Sequence, residues 1–138
     1  MSDLDRVLAR IDADLDRSLD RLFGYLRIRS ISTDPAYKDE CRIAAEHLAG
    51  DLRTVGFTTE LRPTAGHPVV LAKSNGAGRR VLFYGHYDVQ PVDPLDLWDT
   101  PPFEPSIATL PDGRKAIIAR GAADDKGQVM TFVEACRA

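Results

Sequence analysis

Residues 81–91 read VLFYGHYDVQP. Four large apolar residues, Val81 to Tyr84, follow one another without alternation, which predicts a strand covered on both faces. Gly85 ends the run, and His86 and Asp88 follow with one residue between them. Side chains two apart in a strand point the same way, so His86 and Asp88 are expected on one side and Tyr87 on the other. Ligands of open α/β sheets usually bind at the ends of such strands. A neutral imidazole is the commonest transition-metal ligand. A metal-bound histidine usually gives its other N–H to a carboxylate, which fixes the tautomer. The HxD pair suits that arrangement. Taken alone, it equally suits a capped strand end or a surface ion pair.

A second cluster, ARGAADDKGQ, occupies residues 119–128. Either Asp124 or Asp125 can cap the helix that the following sequence predicts, because a helix N-terminus favours negative charge. Two adjacent acids between glycines also offer carboxylate oxygens to a divalent cation, and one carboxylate can bridge two ions. The stretch between the clusters, VQPVDPLDLWDTPPFEP, holds five prolines around the single tryptophan, Trp98. A long stiffened connection in a small domain is usually functional. The alternative is a surface loop with Trp98 folded onto the core.

On the N-terminal side, Leu4, Val7, Leu8, Ile11, Leu15, Leu19, Leu22, Phe23 and Leu26 recur at three- and four-residue steps, the face of one long helix. IRSIST breaks that period. Asp34-Pro35 opens a second helix, with Asp at the cap and Pro in the first turn, and Gly56 is a suitable stop. Its apolar stripe runs from Tyr37 through Cys41, Ala44, Ala45, Leu48 and Leu52 to Val55. His47 beside that stripe and His67 in the GHP turn are expected to be ordinary boundary and loop residues. Phe57 to Arg62 and Val69 to Ala72 predict strands. Ser106–Leu110 and Lys115–Arg120, joined by Pro-Asp-Gly, predict a hairpin. Val129, Met130, Phe132, Val133 and Cys136 predict a last helix.

The bulk properties exclude several classes. With 138 residues, 43% hydrophobic and 28% charged, the chain fits one globular domain. A net charge of −3 without a Lys/Arg cluster argues against nucleic acid. Two cysteines, Cys41 and Cys136, are too few for a disulfide scaffold, and both are expected to be buried free thiols. The N-terminus has no apolar signal-peptide core, and no apolar run reaches membrane-spanning length. A cytoplasmic protein with no membrane contact is expected.

GHYDVQP, then Trp98 and PPFEP, then RGAADDKGQ, in this order, resemble one family. It is the dinuclear zinc peptidase family of carnosinases, bacterial dipeptidases, carboxypeptidase G, aminoacylase and succinyl-diaminopimelate desuccinylase. The likeness takes in the N-terminal helices and RPTAGHPVV, and leans toward the carnosinase-like dipeptidases. The resemblance implies an α/β fold, a zinc-peptidase-like mixed sheet flanked by helices, of which this chain carries the N-terminal part. Residues 1–56 would be a helical pair and 57–138 the strands, active-site loops and start of a helix. It implies His86 as a ligand to one zinc, Asp88 as the acid that orients it and counts as catalytic, and Asp124 as the aspartate bridging two zinc ions. Asp125 matches no ligand. It implies hydrolysis of a dipeptide or N-acyl amino acid by a metal-activated water, and a homodimer for the complete enzyme. The family's downstream glutamate pair, further acidic ligand and second histidine have no counterpart here. Glu134 is the only acid after Asp125, and no histidine follows His86. The chain is therefore expected to be an incomplete, inactive segment of a dipeptidase. The alternatives are a segment of a deacylase of the same family and a non-catalytic product.

Overall fold

Four α-helices and two β-hairpins make up the chain, described over residues 1–138 in a computed structural model. The N-terminal apolar period forms two helices rather than one, α1 (Asp3–Ala13) and α2 (Leu15–Leu26). The break falls at Asp14, at φ −104° and ψ 7°. Its carboxylate is drawn to Arg21 at 2.7 Å and Arg17 at 3.5 Å, and a short acid competes poorly for a helical place. A reciprocal Ser2–Asp5 capping box starts α1. This helix buries nothing: Leu4 and Leu8 are 65% and 50% exposed, so its apolar stripe faces solvent.

Asp34 accepts the Ala36 N–H at 2.9 Å and opens a 3-10 turn, Pro35–Tyr37, which leads into α3 (Lys38–Thr54). Gly56, at φ +92°, supplies the left-handed turn that ends it. The first 56 residues thus hold three α-helices where a pair was expected. The expected stripe of α3 is the buried one, through Cys41, Ala44, Ala45, Leu48 and Leu52. Strands β1 (Phe57–Arg62) and β2 (Val69–Ser74) pair antiparallel, Phe57 opposite Ser74 and Arg62 opposite Val69. Strands β3 (Ser106–Thr109) and β4 (Lys115–Ile118) form the second hairpin. Helix α4 (Lys126–Arg137) follows. The core lies where α2, α3 and α4 meet, around Tyr25, Ala44, Leu48, Leu52, Val129, Met130 and Val133, with Phe57, Val70 and Ala72 of the first hairpin packed over it.

The α/β fold expected from the sequence is present, with its sheet in pieces: two separate two-stranded sheets and one parallel bridge, Ile31 to Val89. Val81 to Tyr84 pairs with no strand. Val81, Leu82 and Tyr84 are 88%, 94% and 84% exposed, and Phe83 alone finds a partner, stacked on Phe132 at 4.0 Å. The apolar run signals a demand for burial, and nothing in residues 1–138 meets it. Cys41 is buried as expected, whereas Cys136 is exposed, because the packed stripe of α4 ends at Val133. No helix is long and apolar enough to cross a membrane.

Candidate metal centre

The loop after α2 supports the segment that carries His86. Ser30 accepts the Val89 N–H at 2.9 Å, and its hydroxyl donates to the Tyr87 carbonyl at 2.6 Å. The Tyr87 hydroxyl donates to the carbonyl of Pro68 at 2.6 Å. The ring of His86 turns instead toward Asp88 and Asp124. A cleft of about 600 Å³, lined mostly by apolar side chains of β2, α4 and residues 81–84, opens beside His86 and Asp88.

Nδ1 of His86 lies 3.0 Å from Asp88 Oδ1 and 3.1 Å from the Asp88 carbonyl oxygen. Both are acceptors, so Nδ1 carries the proton and donates. The other carboxylate oxygen of Asp88 accepts from the Ser32 hydroxyl at 2.5 Å. Nε2 of His86 faces Asp124 Oδ1 at 3.1 Å. In a neutral ring with Nδ1 protonated, Nε2 is a lone pair. Two electron pairs then face each other, and the contact is favourable only with a cation between them, a proton or a metal ion. Partial burial pulls the imidazole toward its neutral form. The bonds to Asp124 and Asp88 outweigh that, and the His86 pKa stands above its ordinary 6.5.

Asp124 and Asp125 take different partners. The Asp124 side chain is 82% exposed beyond its contact with His86, and so is free to present its second oxygen. Asp125 stands at the start of α4 but makes no side-chain cap bond. Its Oδ2 instead accepts the main-chain N–H of His86 at 2.9 Å, which replaces the capping role open to it in the sequence. Lys126 is fully buried. Its ammonium donates to the carbonyls of Tyr25 at 3.0 Å and Ile28 at 2.6 Å, and lies 4.8 Å from the Tyr25 ring. Desolvation pulls its pKa down to about 7. This lysine fastens the DDK turn to the end of α2.

The structure thus gathers His86, Asp88 and Asp124, although 38 positions separate His86 from Asp124. Sequence reasoning missed three supporting side chains: Ser32, Asp125 as an acceptor for His86, and Lys126. Asp125 and Lys126 lay inside a stretch already singled out, but nothing local points Asp125 at His86 or signals the burial of Lys126. The other two histidines make no bond to His86, Asp88 or Asp124, although His67 lines the same cleft. His47 stacks on Tyr25 at 5.2 Å, and His67 Nε2 bonds the Ser32 carbonyl at 3.0 Å. Trp98 closes its own loop by donating to the Val92 carbonyl at 3.0 Å, and lies under the Arg120 guanidinium. It is not part of the core cluster.

His86 Nε2 and Asp124 Oδ1 are chemically suited to one zinc ion. Donors to the same zinc lie roughly 3–3.5 Å apart at ordinary bond lengths. Asp88 sits behind the ring, the place of an orienting acid. No group of three or more His, Cys, Asp or Glu side chains converges on one point, so this chain offers two facing donors.

In this α/β protein, an imidazole backed by one carboxylate and faced by another stands on the wall of an open cleft. Comparison with known proteins points to one family. Residues 82–138 match the peptidase family M20/M25/M40. The whole chain is similar to the Cys-Gly metallodipeptidase dug1 of Schizosaccharomyces pombe, 29% identical over 98% of this chain and 30% of that protein. It is 37% identical to the succinyl-diaminopimelate desuccinylase of Aromatoleum aromaticum over 76% of this chain and 26% of that one. The structure of human carnosine dipeptidase 1 superposes with a TM-score of 0.81 at 26% identity, covering 99% of this chain and 31% of that one. The chain therefore spans about 30% of the length of the relatives it matches. The resemblance read from the three motifs holds.

Proposed function

We propose that this chain supplies one histidine and the bridging aspartate of a dinuclear zinc site that hydrolyses dipeptides. The remaining ligands and the general base would come from sequence outside these 138 residues. One observation carries the reading: Nε2 of His86 faces Asp124 Oδ1 at 3.1 Å while Nδ1 is committed to Asp88. His86 and Asp124 would hold zinc, and Asp88 would keep the ring in the required tautomer. When bound, zinc supplies Lewis acidity toward a carbonyl and lowers the pKa of water. The cleft beside His86 is large enough for a small peptide, and most of its lining is apolar. A cytoplasmic setting and a homodimer of the complete enzyme belong to the same proposal. The likeness to a desuccinylase favours a second reading on the same residues, hydrolysis of an N-acyl amino acid.

The test is zinc binding by competition with a chromophoric chelator, on the wild type and on His86→Ala and Asp124→Ala. One zinc per chain, held weakly, is expected, and each substitution should abolish it. Equal uptake by all three proteins would remove the site. Supplied with zinc, residues 1–138 alone should turn over neither a dipeptide panel nor N-acyl amino acids, because a missing general base costs a factor of roughly a hundred to ten thousand. Turnover that disappears in His86→Ala would overturn the two-donor picture.

A further inference from the structure

An aspartate at a helix start ordinarily bonds the free amides of its own first turn. Asp125 does not; it reaches the main-chain N–H of His86, 39 positions away. The segment it reaches has little else to hold it. No other hydrogen bond fixes the main chain from Val81 to His86, and Val81, Leu82 and Tyr84 are exposed. The approach is close. A Cβ on Gly85 would stand 3.0 Å from Asp125 Oδ2 and 2.6 Å from Val129 Cγ2. The first turn of α4 therefore rests directly on the backbone of residues 85 and 86, and only glycine allows it. On its other side, Asp125 is followed by Lys126, whose buried ammonium is tied to α2. Asp124 and Asp125 thus grip the same residue, one at the ring and one at the main chain.

We propose that Asp125 is a positioning residue: by holding the His86 N–H against α4, it sets the gap between His86 Nε2 and Asp124 Oδ1. The proposal rests on the zinc reading above for its functional meaning, and the clamp itself is a property of the metal-free chain. A carboxylate accepting a main-chain N–H makes a charge-assisted bond. Its loss frees residues 81–86 to move while Lys126 still holds Asp124 in place. The two zinc donors then part without the helix unfolding. Gly85 is the second half of the device, since any larger residue pushes the segment off α4.

The test compares Asp125→Ala with Asp125→Asn, which keeps a side-chain oxygen, by two measurements. Amide hydrogen exchange on the metal-free proteins should show fast exchange at His86 in Asp125→Ala, with Met130 and Val133 still protected as in the wild type. Asp125→Asn should restore most of the His86 protection. Zinc affinity should fall about 10–100-fold in Asp125→Ala, the usual cost of losing an outer partner, and recover largely in Asp125→Asn. Unchanged exchange at His86 in Asp125→Ala would overturn the clamp. So would protection lost equally at Met130 and Val133, because that marks a general loosening of α4. Failure of the wild type to bind zinc would instead overturn the metal reading, while His86 exchange still decides the clamp.

Discussion

At the scale of single residues, His86 is governed by what stands at its two nitrogens. Asp88 accepts the hydrogen bond from Nδ1–H, and Asp124 Oδ1 stands opposite Nε2. On the proposed zinc reading, the metal and a proton compete for one lone pair. In the metal-free protein the ring should titrate above 6.5 by NMR, since the two acids outweigh the effect of burial. A raised pKa means that His86 contributes stability while protonated and loses it as pH rises through that value. Zinc affinity has the opposite slope and should fall as pH drops through the same range. Asp124→Asn should lower the His86 pKa, and an unchanged titration would show that the 3.1 Å contact is absent in solution. Zinc loss should be complete in Asp124→Ala and partial in Asp125→Ala; equal loss in both would mean that the wrong acid was assigned to the metal. HYD was legible in the sequence because alternation in an extended segment dictates which side chains share a side. Ser32 was not. A serine 56 positions from Asp88 leaves no local trace of the 2.5 Å bond it makes.

At the scale of elements, α4 is held to α2 by an ion pair that no period reveals. Arg21 donates from Nε to Glu134 Oε1 at 2.7 Å and from Nη2 to Oε2 at 2.6 Å, and the Ser18 hydroxyl adds a bond at 2.8 Å. The two side chains are 26% and 18% exposed, sheltered enough for bidentate geometry to count. Burial pushes the Glu134 pKa up, but the bonds from Arg21 and Ser18 outweigh it, and it stands below 4.5. A depressed folded pKa contributes stability present above about pH 4.5 and lost as pH falls further. Glu134→Gln should therefore cost about 1.5–3 kcal/mol near neutrality, the range for a bond to a charged group. The difference from wild type should shrink toward pH 3. Urea unfolding at both pH values measures it, and a gap that does not narrow in acid would exclude the pair as its cause. The helices and hairpins themselves were legible, since period and turn residues are local. The break at Asp14 was not, because it depends on Arg21, nearly two turns into the next helix.

At the scale of the whole molecule, the exposed run Val81–Tyr84 joins the open apolar cleft into one unsatisfied surface. The unalternating apolar run predicts a strand covered on both faces, and here it is neither paired nor covered. The sequence could not show that residues 1–138 leave it bare, because what covers a strand is a matter of the full sheet rather than of its own pattern. An apolar segment without a strand partner is a template for pairing with another chain, and an exposed patch of this kind marks an interaction or aggregation surface. The chain should therefore associate with itself as concentration rises, and bind a hydrophobic dye. Leu82→Lys with Tyr84→Lys should suppress both. These two side chains are 94% and 84% exposed, so replacing them removes almost no packing, and the melting temperature should hold. Residue 82 and residue 84 also lie outside the bonds that place His86, so zinc affinity should be unchanged in the double variant. Sedimentation velocity across a concentration series decides the point. Association as strong in the double variant as in the wild type would move the sticky surface elsewhere, with the solvent-facing leucines of α1 the next place to look.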